Sequence, residues 1–301
     1  MNRRISFEFN NQISPRYLQP LFLKLEPGLW YTIEDLRKVL RQDLPTLDGK
    51  KIVDQNVKAW NTTGLIETKV ENNLRSKCFK LTNFGRFIQD AYSTNQDLFF
   101  DLIHYLFYSS WHRTQDVRLG RFWIYSQICD FLWDSAPSEV DSSQMVGIIQ
   151  SNAENMFPEY QPKFPSQSIR AVFPWLTVLT PSFLGKQGKK TNLFSKRRLY
   201  CTPQLFHLAV DLIFYIKGFR YGTSMSIGDL EIVDICRVCL IDETKFWEMA
   251  DRTKMFVRGF GVKQSQYGTS ISLDVPPNWV ELPDLNAHLA KMSDEDERED
   301  E

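Results

Sequence analysis

The pattern that constrains this chain most is one that returns along it: a capped amphipathic helix, a second helix, then two short alternating strands. Thr32 offers a helix N-cap, Asp35 answers from the third helical position, and Ile33, Leu36, Val39 and Leu40 share one face. Residues 51–62 then set Ile52, Val53, Val57 and Trp60 at helical spacing, and Gly64 ends that helix. Ile66, Thr68 and Val70 alternate with Glu67 and Lys69, and Phe79 and Leu81 flank Lys80, across a polar loop at 71–76. Two helices followed by a hairpin predict a winged helix-turn-helix, closed by a helix over 83–93 that Thr82 caps.

Leu98, Phe99, Leu102, Ile103, Leu106, Phe107 and Trp111 next trace one apolar helix face, with Asp101 and His104 lying off it. The plan then repeats. Residues 121–134 read as a buried helix, 142–157 as a second and 168–172 as part of a third. A strand at 196–200 feeds Thr202-Pro203, a cap plus first-turn proline, and an apolar helix to Lys217. A third echo begins at Ser226-Ile227-Gly228-Asp229-Leu230, which matches Thr32 to Leu36 at an offset of 194. A helix at 242–253 and a hairpin made of MFVRGF and GTSISLDV complete it.

The expected fold is therefore mainly α with small β-hairpins: tandem winged helix-turn-helix domains, two or three of them, packed around a central apolar helix. The expected boundaries are 1–94 for an N-terminal winged-helix domain, 95–117 for the connecting helix and 118–222 for a second domain. Residues 223–280 form a third winged-helix-like region and 281–301 an acidic disordered tail.

Charge qualifies this picture. The chain has 36 Lys and Arg against 37 Asp and Glu, but its last nine residues hold seven acids and one Arg. Residues 1–292 therefore carry 35 basic and 30 acidic side chains, a net of +5. No run of about 18 apolar residues predicts a membrane span and no apolar core follows the first two arginines, so a cytoplasmic protein is expected, with no membrane partner. Five scattered cysteines fit a reducing compartment.

The run VKAWNTTGLIE, a hairpin ending FKLTNFGRFI, and DLFFDLIHYLFYSSW together resemble domain-of-unknown-function family 4007. SIRAVFPWLTVL, YCTPQLFHLAVDLIFY and MSIGDLEIVDICRVCLIDETKFWEM follow in the order of that family's C-terminal half, so the resemblance spans residues 15–275. The sequence departs at WLTVLTP, where the family shows a second LGLI-like turn. Members of the family are encoded beside bacterial DNA-modification and phage-defence genes, including phosphorothioation clusters. The resemblance implies a DNA-linked accessory role and brings no enzymatic activity.

Candidate DNA contacts fall in two places. Lys186, Lys189, Lys190, Lys196, Arg197 and Arg198 lie within 13 residues that contain no acid, on a predicted wing where cations would neutralise phosphates. Residues 50–86 hold eight basic residues and three acids. Lys51, Gln55 and Lys58 sit on the outer side of the predicted recognition helix and Arg75 and Lys77 on its wing, while Gln55 and Asn56 have the chemistry to read adenine edges.

Catalytic signals are poor. Gly188-Lys189-Lys190-Thr191 lacks the glycine of a phosphate loop five residues earlier, where Phe183 stands. Cys236 and Cys239 form a single CxxC and read as two thiols on one buried helix face; His104 and His112 are two turns apart with no completing ligand. Glu67-Thr68-Lys69 has the Glu-x-Lys form of some nucleases, but Asp54 falls on a helix rather than an adjoining strand. No cofactor, metal or catalytic residue is expected. The leading expectation is a non-enzymatic protein whose partner is double-stranded DNA. A protein-interaction scaffold, docking a protein partner of a multi-subunit complex, stands second and a divalent-metal nuclease third.

Overall fold

The computed structural model describes residues 7, 9–18, 20–45, 49–71, 76–160, 162, 166–186, 192–266 and 268–291. It divides into two compact units, one of Asn10–Asn95 with the chain from Val280 onward, the other of Met1–Phe9 with Gln96–Trp279. Arg75, Lys189 and Lys190 lie outside the described residues, as do residues 292–301 of the acidic tail.

In the smaller unit, β1 (Tyr31–Thr32) runs into α1 (Ile33–Asp43), followed by α2 (Gly49–Thr62), β2 (Ile66–Glu71), β3 (Ser76–Leu81) and α3 (Asn83–Thr94). The capping box forms as read: Thr32 Oγ1 accepts from Asp35 N while the Asp35 carboxylate accepts from Thr32 N. Such a cap stabilises a helix start by ~1 kcal/mol. Gly64, at φ +71°, turns α2 into β2, a conformation glycine adopts without strain. The sheet is antiparallel in the order β1-β3-β2, so β1 pairs with the last strand of the hairpin. Leu36, Leu40, Val53 and Trp60 form the core with Phe22, whose ring lies 5.2 Å from Trp60.

One expectation fails here. Residues 281–291 are not a disordered start to the tail; 285–291 are helical, with Leu285 and Leu289 buried. Their i, i+4 spacing gives this short segment an apolar face to bury, and His288 Nε2 meets the carbonyl of Asn61.

The larger unit is built on three long helices: α4 (Gln96–Thr114), α5 (Gly120–Ser135) and α8 (Pro203–Lys217). α4 packs against both others. Its Asp101 and His104, expected off the apolar face, are each 1% exposed, so α4 is buried on all sides. The dense aromatics are core as well: Phe107 makes ring contacts with Phe122, Tyr125 and Trp175 at 5.0–5.4 Å. Each such ring contributes on the order of 2–3 kcal/mol through burial.

Two further copies of the small unit's order surround these helices. The first comprises β4 (Ser138–Glu139), α6 (Ser142–Met156), α7 (Gln167–Thr177), β5 (Leu184–Lys186) and β6 (Leu193–Ser195). The second comprises β7 (Ser224–Ser226), α9 (Asp229–Cys239), α10 (Phe246–Phe256), β8 (Phe260–Ser265) and β9 (Gly268–Leu273). Their sheets run β4-β6-β5 and β7-β9-β8, the same relative order as β1-β3-β2.

Element positions differ from the sequence reading in three places. β6 ends at Ser195, and the segment expected as a strand at 196–200 turns inward, where Arg198 N donates to Leu240 O and its carbonyl accepts from Asp242 N, both at 2.8 Å. The α9 cap is Gly228 answered by Glu231, because Ser226 is committed to β7. α10 extends through Met255 and Phe256, so the hairpin's first strand starts at Phe260. Among the described residues, no helix is long and apolar enough to cross a membrane.

Candidate nucleic-acid interface

On α2 the apolar residues Ile52, Val53, Val57 and Trp60 face the core, which leaves Lys51 and Lys58 exposed and Gln55 half-buried on the outer side. Asn56 is not available to read a base. It is 1% exposed, and its Nδ2 donates to Ile52 O at 2.8 Å and Gln12 O at 2.7 Å. Asp54 accepts an ion pair from Arg37 at 3.6 Å.

The hairpin presents Lys69 on β2 and Lys77 and Lys80 on β3, with Lys77 half-buried. Lys69 and Lys80 both lie over the Trp30 ring, their Nζ atoms 4.3 and 4.7 Å from its centroid, and Lys80 also pairs with Glu67 at 2.8 Å. Cation–π contacts of this kind fix flexible ammonium groups. Sequence reasoning passed over Trp30; its signal was an aromatic directly before a predicted helix start, opposite alternating lysines.

A cleft of about 610 Å³ opens beside this hairpin, with Lys80, Arg86 and Lys291 among its lining cations, Glu67, Glu281 and Asp284 among its acids, and His288 in the same wall. Arg86 and Lys291 are exposed, and among the described residues neither pairs with a carboxylate.

In the second copy, Lys186 ends β5 and Lys196 follows β6, both exposed. Arg198, expected on the same phosphate-facing wing, points into the protein, and Arg197, expected beside it, lies half-buried across the Trp133 ring. Arg198 is 1% exposed: its guanidinium donates to Asp101 Oδ1 at 2.8 Å, Thr180 O at 2.6 Å and Cys239 O at 3.3 Å. Thr202 N and Oγ1 satisfy the other carboxylate oxygen at 2.8 and 2.9 Å. Burial raises the Asp101 pKa, while the guanidinium and the Thr202 donors pull it down. Arg197 stacks 3.9 Å above the Trp133 ring, donates to Trp133 O and pairs with Glu243 at 3.1 Å. Their charges are neutralised before any phosphate arrives.

His104 belongs to the same interior. Its Nε2 lies 2.8 Å from Val238 O and must carry the proton there, leaving Nδ1 to accept from Tyr125 OH at 3.0 Å. Burial drives its pKa down to about 3. Cys236 and Cys239 are buried on α9, and burial raises both thiols.

Glu67 is held by Lys80, and Arg237 sits among Asp130, Asp134 and Asp234, pairing with Asp134 at 2.8 Å. Among the described residues, no three His, Cys, Asp or Glu side chains gather as a metal site.

No protein-family model matches this sequence, so the resemblance to family 4007 stands on the quoted motifs alone. No curated protein matches either. Two solved structures do share the fold across the whole chain. An SspB crystal structure matches with a TM-score of 0.55 at 11% identity, over 98% of each chain. A magnesium ion-bound SspB structure matches with a TM-score of 0.53 at 10% identity, over 96% of this chain and 92% of that one.

Proposed function

We propose that this chain is a non-enzymatic, duplex-DNA-binding accessory protein of a bacterial phage-defence or DNA-modification system, built from three winged helix-turn-helix modules. The observation that carries this reading is the threefold recurrence of strand, helix, helix, hairpin with one relative sheet order. In the first module, the helix in the recognition position has Lys51 and Lys58 on its outer face. The whole-chain likeness to SspB and the resemblance to family 4007 are consistent with it.

The cations that serve are Lys51, Lys58, Lys77, Lys186 and Lys196, with Gln55 as the base-edge donor or acceptor. They supply counterion-release affinity with little sequence readout. Reversing Lys51 and Lys58 to Glu is expected to weaken duplex binding at least tenfold at 50 mM salt. It should also make the log–log salt slope shallower by about 1.8, since each lost phosphate contact removes ~0.9. A mobility-shift titration in which affinity and slope both match wild type removes the α2 interface.

A protein-docking role also has a specific observation behind it. On the third module, α10 exposes Met255 at 81%, Phe256 at 72% and Trp247 at 38%, where the first module exposes lysines. Apolar side chains this exposed suit a protein partner better than a phosphate backbone.

A further inference from the structure

We propose that the acidic C-terminal segment docks on the smaller unit, over the cations around the cleft, and competes there with nucleic-acid phosphate. Its regulatory half rests on the DNA-binding reading above; the docking itself does not.

Three observations lead to it. The chain leaves the larger unit after Trp279, and residues 280–291 belong instead to the smaller unit. Pro283 lies so close to Gly64 that a Cβ there would meet it at 2.7 Å, and Leu285 and Leu289 are buried. The acidic run therefore starts from a point fixed on this unit, at Lys291 on the cleft wall.

Charge supplies the second. Residues 10–95 with 280–291 hold 14 Lys and Arg against 11 Asp and Glu, a net of +3. Residues 292–301 add seven acids and one Arg, which turns the unit's net charge to −3. The segment thus reverses the sign of the body that anchors it.

Reach supplies the third. Ten residues span at most roughly 33–36 Å, while a domain of about 100 residues has a radius of gyration near ~13 Å. Arg86 and Lys80 line the same cleft as Lys291 and fall within that span. A tethered ligand at such range has an effective concentration of about millimolar, so a contact whose Kd for the free peptide lies below about a millimolar, within reach of a peptide titration, is largely populated within one chain. Because the attraction is between exposed charges, salt screens it.

The test uses the full chain with its tail acids neutralised (D294N, E295Q, D296N, E297Q, E299Q, D300N, E301Q) and a labelled peptide, SDEDEREDE. The neutralised chain is expected to bind a duplex about tenfold more tightly than wild type at 50 mM salt, and within about twofold of it at 500 mM. The peptide should bind that chain saturably at low salt, and R86E with K291E should weaken it at least fivefold while far-UV circular dichroism stays unchanged. Absence of saturable peptide binding, or binding indifferent to R86E and K291E, overturns the docking. Peptide binding combined with no duplex binding at any salt upholds the docking and instead removes the DNA reading.

Discussion

Lys51 and Arg198 carry the same charge and end in opposite settings, one exposed and one buried. The run Lys196-Arg197-Arg198 reads as a solvated wing because it lacks acids. Yet the carboxylate that takes up Arg198 lies 97 positions away, on a helix whose own pattern hid Asp101. Local sequence reports local electrostatics, and a buried ion pair is a tertiary event. Arg198→Met would leave the Asp101 carboxylate without its cation, a loss of about 3–5 kcal/mol when one partner of a buried pair is removed. Chemical denaturation should show it, with part of the loss recovered by adding Asp101→Asn. A loss under about 1 kcal/mol would mean that the pair does not anchor the interior. Lys51 was legible because the apolar residues of α2 define its inner face without help from distant parts of the chain.

At the scale of elements, features set by near neighbours were legible: the Thr32 capping box, the Gly64 turn, the Thr202-Pro203 start of α8. Strand ends were not. β6 stops before the basic run because Arg198 is drawn to Leu240, and β8 starts late because α10 continues, choices made by packing rather than by alternation. The contact between α4 and α5 adds a pH dependence. Tyr108 OH donates to Asp130 at 2.6 Å, and burial, acting first, lifts the Asp130 pKa from the ordinary 3.8 to about 7. The folded chain then holds this proton more tightly than the unfolded one, so this group's contribution to stability falls as pH rises from about 4 to 7. Asp130→Asn keeps an acceptor for Tyr108 and removes the titration. Its melting temperature should exceed that of wild type by clearly more at pH 8 than at pH 5; equal differences at both pH values would place the titration elsewhere.

The whole molecule shows why its net charge of −1 says little about its partners. The sum conceals a basic smaller unit and an acidic segment anchored to that unit. The helix, helix, hairpin part of the recurrence could be read in the first copy, but the leading strands β1, β4 and β7 could not, the second copy's strand was expected at 196–200 rather than Leu193–Ser195, and the third copy's hairpin and cap were displaced by several residues. How Trp279 hands the chain back to the smaller unit could not be read at all, because only Leu285 and Leu289 mark the returning segment.

The central claim is that α2 and the neighbouring hairpin meet DNA. Lysine acetylation read by mass spectrometry, with and without a 20-base-pair duplex at 50 mM salt, tests it at single residues. Lys51, Lys58 and Lys77 should be protected, with the protection lost at 500 mM salt. Duplex binding that leaves the reactivity of all three unchanged would contradict the account.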